Sequence, residues 1–248
     1  MPTAAVIIIG NEILSAKFSD ENGPWLIKRC RELGIDMVRV STITDEVDVI
    51  AAEVKQSSEL ADFVFTSGGI GPTHDDVTMA GIADAFGIPL QRNPQLVELI
   101  EKRMGSKVTE DALRMADLPE DTELWIEPGM RFPVCVCRNV LIFPGVPSYL
   151  RGKFNDIAHR LGGEPITSRQ LSSLKNESAI AGTLRQAADR WPTVNIGSYP
   201  RLEETPKRVI VTMDSRDLPA LEACNAWLSD ALSQTSDQQP QVPLQSTH

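Results

Sequence analysis

The segment Ser67-Gly68-Gly69-Ile70-Gly71-Pro72-Thr73-His74-Asp75-Asp76-Val77-Thr78 holds the densest chemistry in this chain. Gly68, Gly69 and Gly71 let the main chain adopt positive φ and approach a bound group closely. The run leaves a predicted strand at Asp62–Thr66 and enters a predicted helix from Val77 to Phe86. Free N–H groups and the dipole at a helix N-terminus favour an anion, so the segment reads as a phosphate cradle. It is not a Walker A motif, because no Gly-Lys-Ser/Thr follows, and it is not a GxGxxG dinucleotide fingerprint.

Asp75 and Asp76 narrow the chemistry. A carboxylate about 4 Å from a phosphate is repelled by roughly 4 kcal/mol per charge pair at an effective dielectric near 20. A divalent cation bridging carboxylate and phosphate oxygens removes that conflict. An aspartate turned to the amino-pyrimidinone edge of a pterin, accepting its N–H bonds, removes it as well. The bland alternative is that both aspartates only cap and charge-complement the helix; the three adjacent glycines weigh against it. His74 would contact phosphate, act as an acid, or simply be solvated.

Other candidates lie in neighbouring loops. Gly10-Asn11-Glu12 follows the predicted first strand, and Glu12 would lie near the glycine loop if the two strands are neighbours; otherwise it is a cap or turn residue. Asp20 and Asn22 precede the first helix, where capping is the plain account of Asn22. Asp45, alone after the second strand, reads as a turn residue. Only three histidines are present, so a histidine-based metal cluster is not expected.

These residues need a frame to hold them. Ala4–Ile9 is a continuous apolar run, as in a strand buried on both faces. Asn22-Gly23-Pro24 opens a helix that Gly34 ends. Met37–Ile43 is a second strand, and Asp48–Leu60 shows helical spacing. Strands alternating with helices indicate βαβ units and a mostly parallel sheet, with ligands beyond the carboxyl ends of the strands. Helices at Asn93–Gly105 and Thr109–Met115 and strands at Glu123–Glu127, Pro133–Cys137 and Val140–Phe143 follow. The rigid turn Pro144-Gly145-Val146-Pro147 then begins a helix over Ser148–Leu161.

Gly162-Gly163-Glu164-Pro165 marks a boundary. The expected division is a first domain at 1–162, a small βαββα domain at 163–232, and a disordered tail at 233–248 rich in Gln, Ser, Thr and Pro. Lys175, Arg201, Lys207 and Arg208 in the small domain could reach a neighbour's phosphate ligand; a solvated basic face is the plainer account.

The chain of 248 residues is 42% hydrophobic, enough for a sizeable core, and carries a net charge of −10. That charge repels nucleic acid, so any phosphate must be held locally. No apolar run reaches the length of a membrane span, and no signal peptide is recognised. The four cysteines, at 30, 135, 137 and 224, lack disulfide spacing and are expected to be reduced core thiols in a cytoplasmic protein. Cys135 and Cys137, two apart on a strand, should face the same way.

Taken together, Gly10-Asn11-Glu12-Ile13-Leu14, Asp20-x-Asn22, Asp45, the Gly68–Thr78 string and Pro144-Gly145-Val146-Pro147 resemble the molybdopterin-binding superfamily of molybdenum-cofactor biosynthesis. The nearest branch is that of CinA-type proteins and the N-terminal domain of eukaryotic-type FAD synthases. The Gly68–Thr78 string is the specific signal, and the resemblance covers residues 1–162. Asn176-Glu177-Ser178-x-Ile180-Ala181 and Val194–Pro200 are similar to the small KH-like α+β domain of that branch. No GxxG loop is present, so RNA binding does not follow.

The resemblance implies a mostly parallel α/β fold flanked by helices. It implies that Asp45 and Asp76 contact a pterin or a catalytic centre. It implies Gly10, Asn11, Ser67, Gly68, Gly69, Gly71, Pro72, Thr73, His74, Thr78, Pro144 and Gly145 as ligand contacts. In the CinA and FAD-synthase branch it implies a nucleotide pyrophosphatase that releases AMP from ADP-ribose or FAD. Such an enzyme would use Mg²⁺, Mn²⁺ or Co²⁺, with K⁺ as a further ion. Asp76, Asp75 and Glu12 would hold the metal and position water, and Asp45 would join them as a catalytic residue. Homo-oligomers, dimeric or trimeric, are implied too. The deamidase domain of many CinA proteins and the adenylyl-transfer domain of FAD synthases have no counterpart in the sequence. Two other readings stand beside this one: a molybdopterin binder or adenylyltransferase-like protein with molybdopterin as ligand, and a non-catalytic regulatory module.

Overall fold

The computed structural model describes residues 1–201, 203, 206 and 208–234. The chain forms two compact units, Met1–Glu164 and a second beginning at Pro165.

The first unit runs β1 (Thr3–Ile9), α1 (Asn11–Leu14), α2 (Asn22–Glu32), β2 (Asp36–Ile43), α3 (Val47–Leu60), β3 (Phe63–Ser67) and α4 (Thr78–Phe86). It continues with β4 (Leu90–Arg92), α5 (Pro94–Met104), α6 (Glu110–Arg114), β5 (Asp117–Pro119), β6 (Glu123–Trp125), β7 (Val134–Cys137), β8 (Val140–Phe143) and α7 (Pro147–Ile157). Six strands form one sheet in the order β2-β1-β3-β8-β7-β6. The pairs β1–β2, β1–β3 and β3–β8 are parallel, while β7 runs antiparallel to β6 and β8. The sheet is therefore mostly parallel and flanked by helices, as the alternating pattern implied.

Two apolar layers hold it. Ala5, Ile7 and Ile9 of β1 face one layer with Ile50 and Val54 of α3 and Ile82 of α4. Ala4, Val6 and Ile8 face the other with Leu26 of α2 and Leu150 and Phe154 of α7. This double covering is why β1 reads as an unbroken apolar run. Each fully buried Ile or Leu contributes about 1.5–3 kcal/mol of hydrophobic stabilisation. Phe65, Phe143 and Phe154 pack with ring centroids 5.4–6.2 Å apart under the site end of the sheet. Cys135 and Cys137 share the first layer while Val134 and Val136 share the second, as strand alternation requires. All four thiols are free and buried.

Three elements escape the sequence pattern. β4 and β5 form a two-stranded ribbon three residues long, too short for a period to show. α1 is a single turn with no buried residue. The helix after the Pro144–Pro147 turn starts at Pro147 rather than Ser148, proline taking the first helical position, and tightens into a 3-10 turn at Ala158–Arg160.

The second unit runs β9 (Thr167–Ser173), α8 (Glu177–Arg190), β10 (Asn195–Arg201), β11 (Arg208–Ser215) and α9 (Leu218–Gln234). Its sheet is antiparallel in the order β10-β11-β9. Val209, Val211 and Met213 of β11 pack against Ile180 and Ala187 of α8 and Leu221, Cys224 and Leu228 of α9. The helix α9 runs on to Gln234, two residues into the stretch expected as tail. The rest of that stretch, 235–248, and Lys207 lie outside the described residues. Among the described residues no helix is long and apolar enough to cross a membrane.

Candidate functional site

Register brings the loops together. Ile9 of β1 lies opposite Ile43 of β2, Ile8 opposite Ser67 of β3, and Ser67 opposite Phe143 of β8. The four parallel strands therefore end level, and the segments after them meet at one edge: Gly10–Glu12, Asp45, Gly68–Asp76 and Pro144–Gly145. This is the carboxyl end of the sheet, where parallel α/β folds place ligands.

The glycine loop is anchored at its base. Gly68 N–H donates to Phe143 O at 3.2 Å, and the buried Thr78 hydroxyl donates to Gly68 O at 2.9 Å. Thr78 N–H closes the turn onto Gly69 O at 3.0 Å. Gly68 sits at φ +111°, and a Cβ there would lie 2.1 Å from Ile9 O, so only glycine fits against β1. Above this base, the N–H groups of Gly69, Ile70 and Gly71 make no hydrogen bond with any described residue. Three successive N–H donors between β3 and α4 are thus unpartnered among the described residues, the feature expected of an anion cradle.

The carboxylates are arranged in three ways. Asp76 curls back: its Oδ2 accepts Thr73 N–H at 2.8 Å and also takes the Thr73 hydroxyl. It packs beneath Gly71, whose absent Cβ would lie 2.7 Å from Asp76 Oδ2. Asp75 is exposed, 3.9 Å from His74 Nδ1. Asp45 accepts Asn11 N–H at 2.8 Å, so it fixes the first loop. Glu12 folds its carboxylate over Gly10.

The expected residues thus divide. Gly10, Asn11, Asp45, Gly68, Gly69, Gly71, Asp76 and Gly145 gather at the strand ends. Ser67 and Thr78 are buried and shape the loop from below. His74 is almost wholly exposed and faces solvent. Pro72 and Thr73 are exposed on the loop's outer turn. Asp75, Asp76 and Glu12 supply only carboxylate oxygens, the donors a hard cation takes. Yet no three His, Cys, Asp or Glu side chains converge on a metal position among the described residues. In the second unit, Lys175 is tied to Leu232 O at 2.8 Å.

Asn22 is the residue that sequence reasoning undervalued. It does not cap α2; its side chain makes no capping bond, and Asp20 Oδ1 instead accepts the N–H of Asn22 at 2.8 Å and of Gly23 at 3.1 Å. The freed Asn22 carboxamide turns inward and donates to Ser67 Oγ at 2.9 Å and Gly145 O at 2.7 Å. The signal was the Asp20-x-Asn22 spacing, which offers two polar residues where one cap suffices.

Comparison with known proteins agrees with this geometry. Residues 5–162 match the family model described as "Probable molybdopterin binding domain", and residues 165–239 match "FAD synthase, middle domain". A protein of Archaeoglobus fulgidus is 35% identical over 86% of this chain and 90% of its own length. A "Probable FAD synthase" of Caenorhabditis elegans is 30% identical over 93% of this chain, which spans 50% of that relative. A "CinA-like protein" of Frankia casuarinae is 30% identical over 75% of this chain and 48% of its own length. Among solved structures, CinA from Thermoplasma acidophilum superposes with a TM-score of 0.60 at 28% identity, covering 64% of this chain and 98% of that one.

Proposed function

The chain belongs to the molybdopterin-binding domain family, and from that premise we propose that it binds a phosphorylated nucleotide at the Gly68–Gly71 cradle and cleaves its diphosphate, releasing AMP from ADP-ribose or FAD. The observation behind this reading is the row of free N–H groups at Gly69, Ile70 and Gly71, set beside carboxylates. Neutral donors hold a diphosphate without adding charge, and they need no reorganisation as negative charge shifts between phosphate oxygens. The pairing with an FAD-synthase middle-domain match supports a dinucleotide substrate.

The carboxylate pair then requires a counter-charge. A divalent cation would take its protein oxygens from the Asp75–Asp76 pair or from Glu12 and the rest from water and ligand, since no three such side chains converge among the described residues. Such a cation would supply a bound water of lowered pKa. The protein's own part is positional. Thr73 orients the Asp76 carboxylate, Asp45 fixes the Gly10–Asn11 turn, and the Gly145 turn flanks the cradle.

A second reading is pterin binding, with Asp76 and Asp45 facing molybdopterin and adenylyl transfer or simple capture as the outcome. The match of residues 5–162 to a family model described as a probable molybdopterin binding domain supports it. One assay separates the two. Purified protein is incubated with ADP-ribose, FAD and NAD under Mg²⁺, Mn²⁺, Co²⁺ or EDTA, and AMP is followed. Metal-dependent AMP release supports hydrolysis. No release with any metal, together with tight pterin binding in EDTA, moves the assignment to the second reading.

A further inference from the structure

We infer that Asn22 is a positioning residue of the cradle: its carboxamide sets the gap between the Gly68 loop and the Gly145 turn, and so holds the backbone donors that follow Gly68 in place for a phosphorylated ligand. The ligand part rests on the nucleotide reading above; the tie does not.

Asn22 is 5% exposed. Both hydrogens of its Nδ2 are used, on Ser67 Oγ and Gly145 O. A backbone carbonyl only accepts, so the amide nitrogen must face Gly145 and Oδ1 must face away. That Oδ1 is buried and has no hydrogen-bond partner among the described residues. Buried carbonyl oxygens are rarely left so. The backbone of Asn22 is itself pinned by Asp20 at 2.8 Å, which leaves the side chain little freedom to turn.

The tie lies where it controls the site. Ser67 immediately precedes Gly68, and the free N–H groups follow from Gly69 onward. Gly145 already approaches the loop: a Cβ on it would lie 3.4 Å from Gly68 Cα. A shift of Ser67 against Gly145 would move the three donors as a group.

The test compares wild type with Asn22→Leu, which keeps the size and removes every hydrogen bond, and with Ser67→Ala, which removes one partner and keeps Oδ1. Amide hydrogen exchange is measured first, without ligand. Faster exchange at Gly68–Gly71 and Gly145–Val146 in both variants, with β1 and β3 unchanged, is expected; unchanged loop exchange in a folded Asn22→Leu overturns the positioning role. Should Asn22→Leu fail to fold, Ser67→Ala alone decides this comparison. Calorimetric titration with ADP-ribose, FAD and pyrophosphate follows. Asn22→Leu should weaken all three by about tenfold, since all would meet the same backbone donors. Unchanged affinity in a folded Asn22→Leu whose loop exchange is faster overturns the positioning of the donors. Wild-type protein that binds none of the probes overturns the nucleotide reading, while the exchange result still decides the tie.

Discussion

The Asp45 carboxylate accepts the Asn11 backbone N–H at 2.8 Å, joining the segment after β2 to the turn after β1. An aspartate that looks like an ordinary turn residue in sequence therefore shapes the neighbouring loop. Asp45→Ala should lower stability by about 0.5–1.5 kcal/mol, the worth of one such bond. Ligand affinity should fall with it, because Gly10 and Asn11 lose their hold. Thermal unfolding and titration calorimetry on the same sample check both; unchanged affinity would exclude the first loop from the site.

Asp76 is bound to Thr73 through both the backbone N–H and the hydroxyl. Asp76→Ala removes a charge and frees the loop's outer turn. Turnover of ADP-ribose or FAD should drop at least 100-fold, on the order of what one well-placed catalytic group contributes. EDTA should abolish wild-type AMP release. Full activity in either case would sink the metal-dependent mechanism.

Gly68→Ala places a Cβ 2.1 Å from Ile9 O at φ +111°. The strain alone is worth about 1–3 kcal/mol, and the clash adds to it. Gly87→Ala is the control, with positive φ but open space around it. Gly68→Ala should melt well below Gly87→Ala, and equal melting points would contradict the close approach of the glycine loop to β1.

Asp62 accepts Thr3 N–H at 2.8 Å and the Thr3 hydroxyl at 2.9 Å. The Thr3 backbone bond, then its hydroxyl, lower the Asp62 pKa from its ordinary 3.8. A depressed carboxyl contributes stability that is complete above its unfolded value and is lost as pH falls through its folded one. Denaturation curves of wild type and Asp62→Asn should therefore differ above pH 3.8 and converge in stronger acid. A constant gap down to the acid end would rule out this linkage.

Burial pushes the Cys30 thiol up to about 12 and Cys135 to about 11, and raises Cys137 and Cys224. Since the thiolate is the reactive form, all four should resist a thiol reagent in the folded protein and react together on unfolding. A fast-reacting thiol in the native state would show one of these cysteines to be accessible.

Much of the frame was legible in the sequence, for physical reasons. The Ala4–Ile9 run showed β1 because a strand covered on both faces must be apolar throughout. The glycines at 68, 69 and 71 showed the tight loop because close approach leaves no room for a Cβ. What the sequence hid were relations across distance. The partners of Asn22 lie 45 and 123 residues away, and that of Asp45 lies 34 away. No local pattern encodes such contacts. The β4–β5 ribbon was hidden for the opposite reason: its strands, three residues each, are too short to leave a period.

The donors of the cradle belong to the main chain, which has consequences for how this protein can diverge. A substitution at Ile70 alters a side chain and leaves its N–H in place. On the proposed reading, the carboxylates could change, and with them the cation and the reaction, without loss of the grip on a phosphate. Losing that grip requires a change of shape, at Gly68 or at the contact with Ile9 O. Anion capture should thus outlive catalysis in this lineage, and a descendant that has lost its chemistry would still be a serviceable sensor of the same ligand.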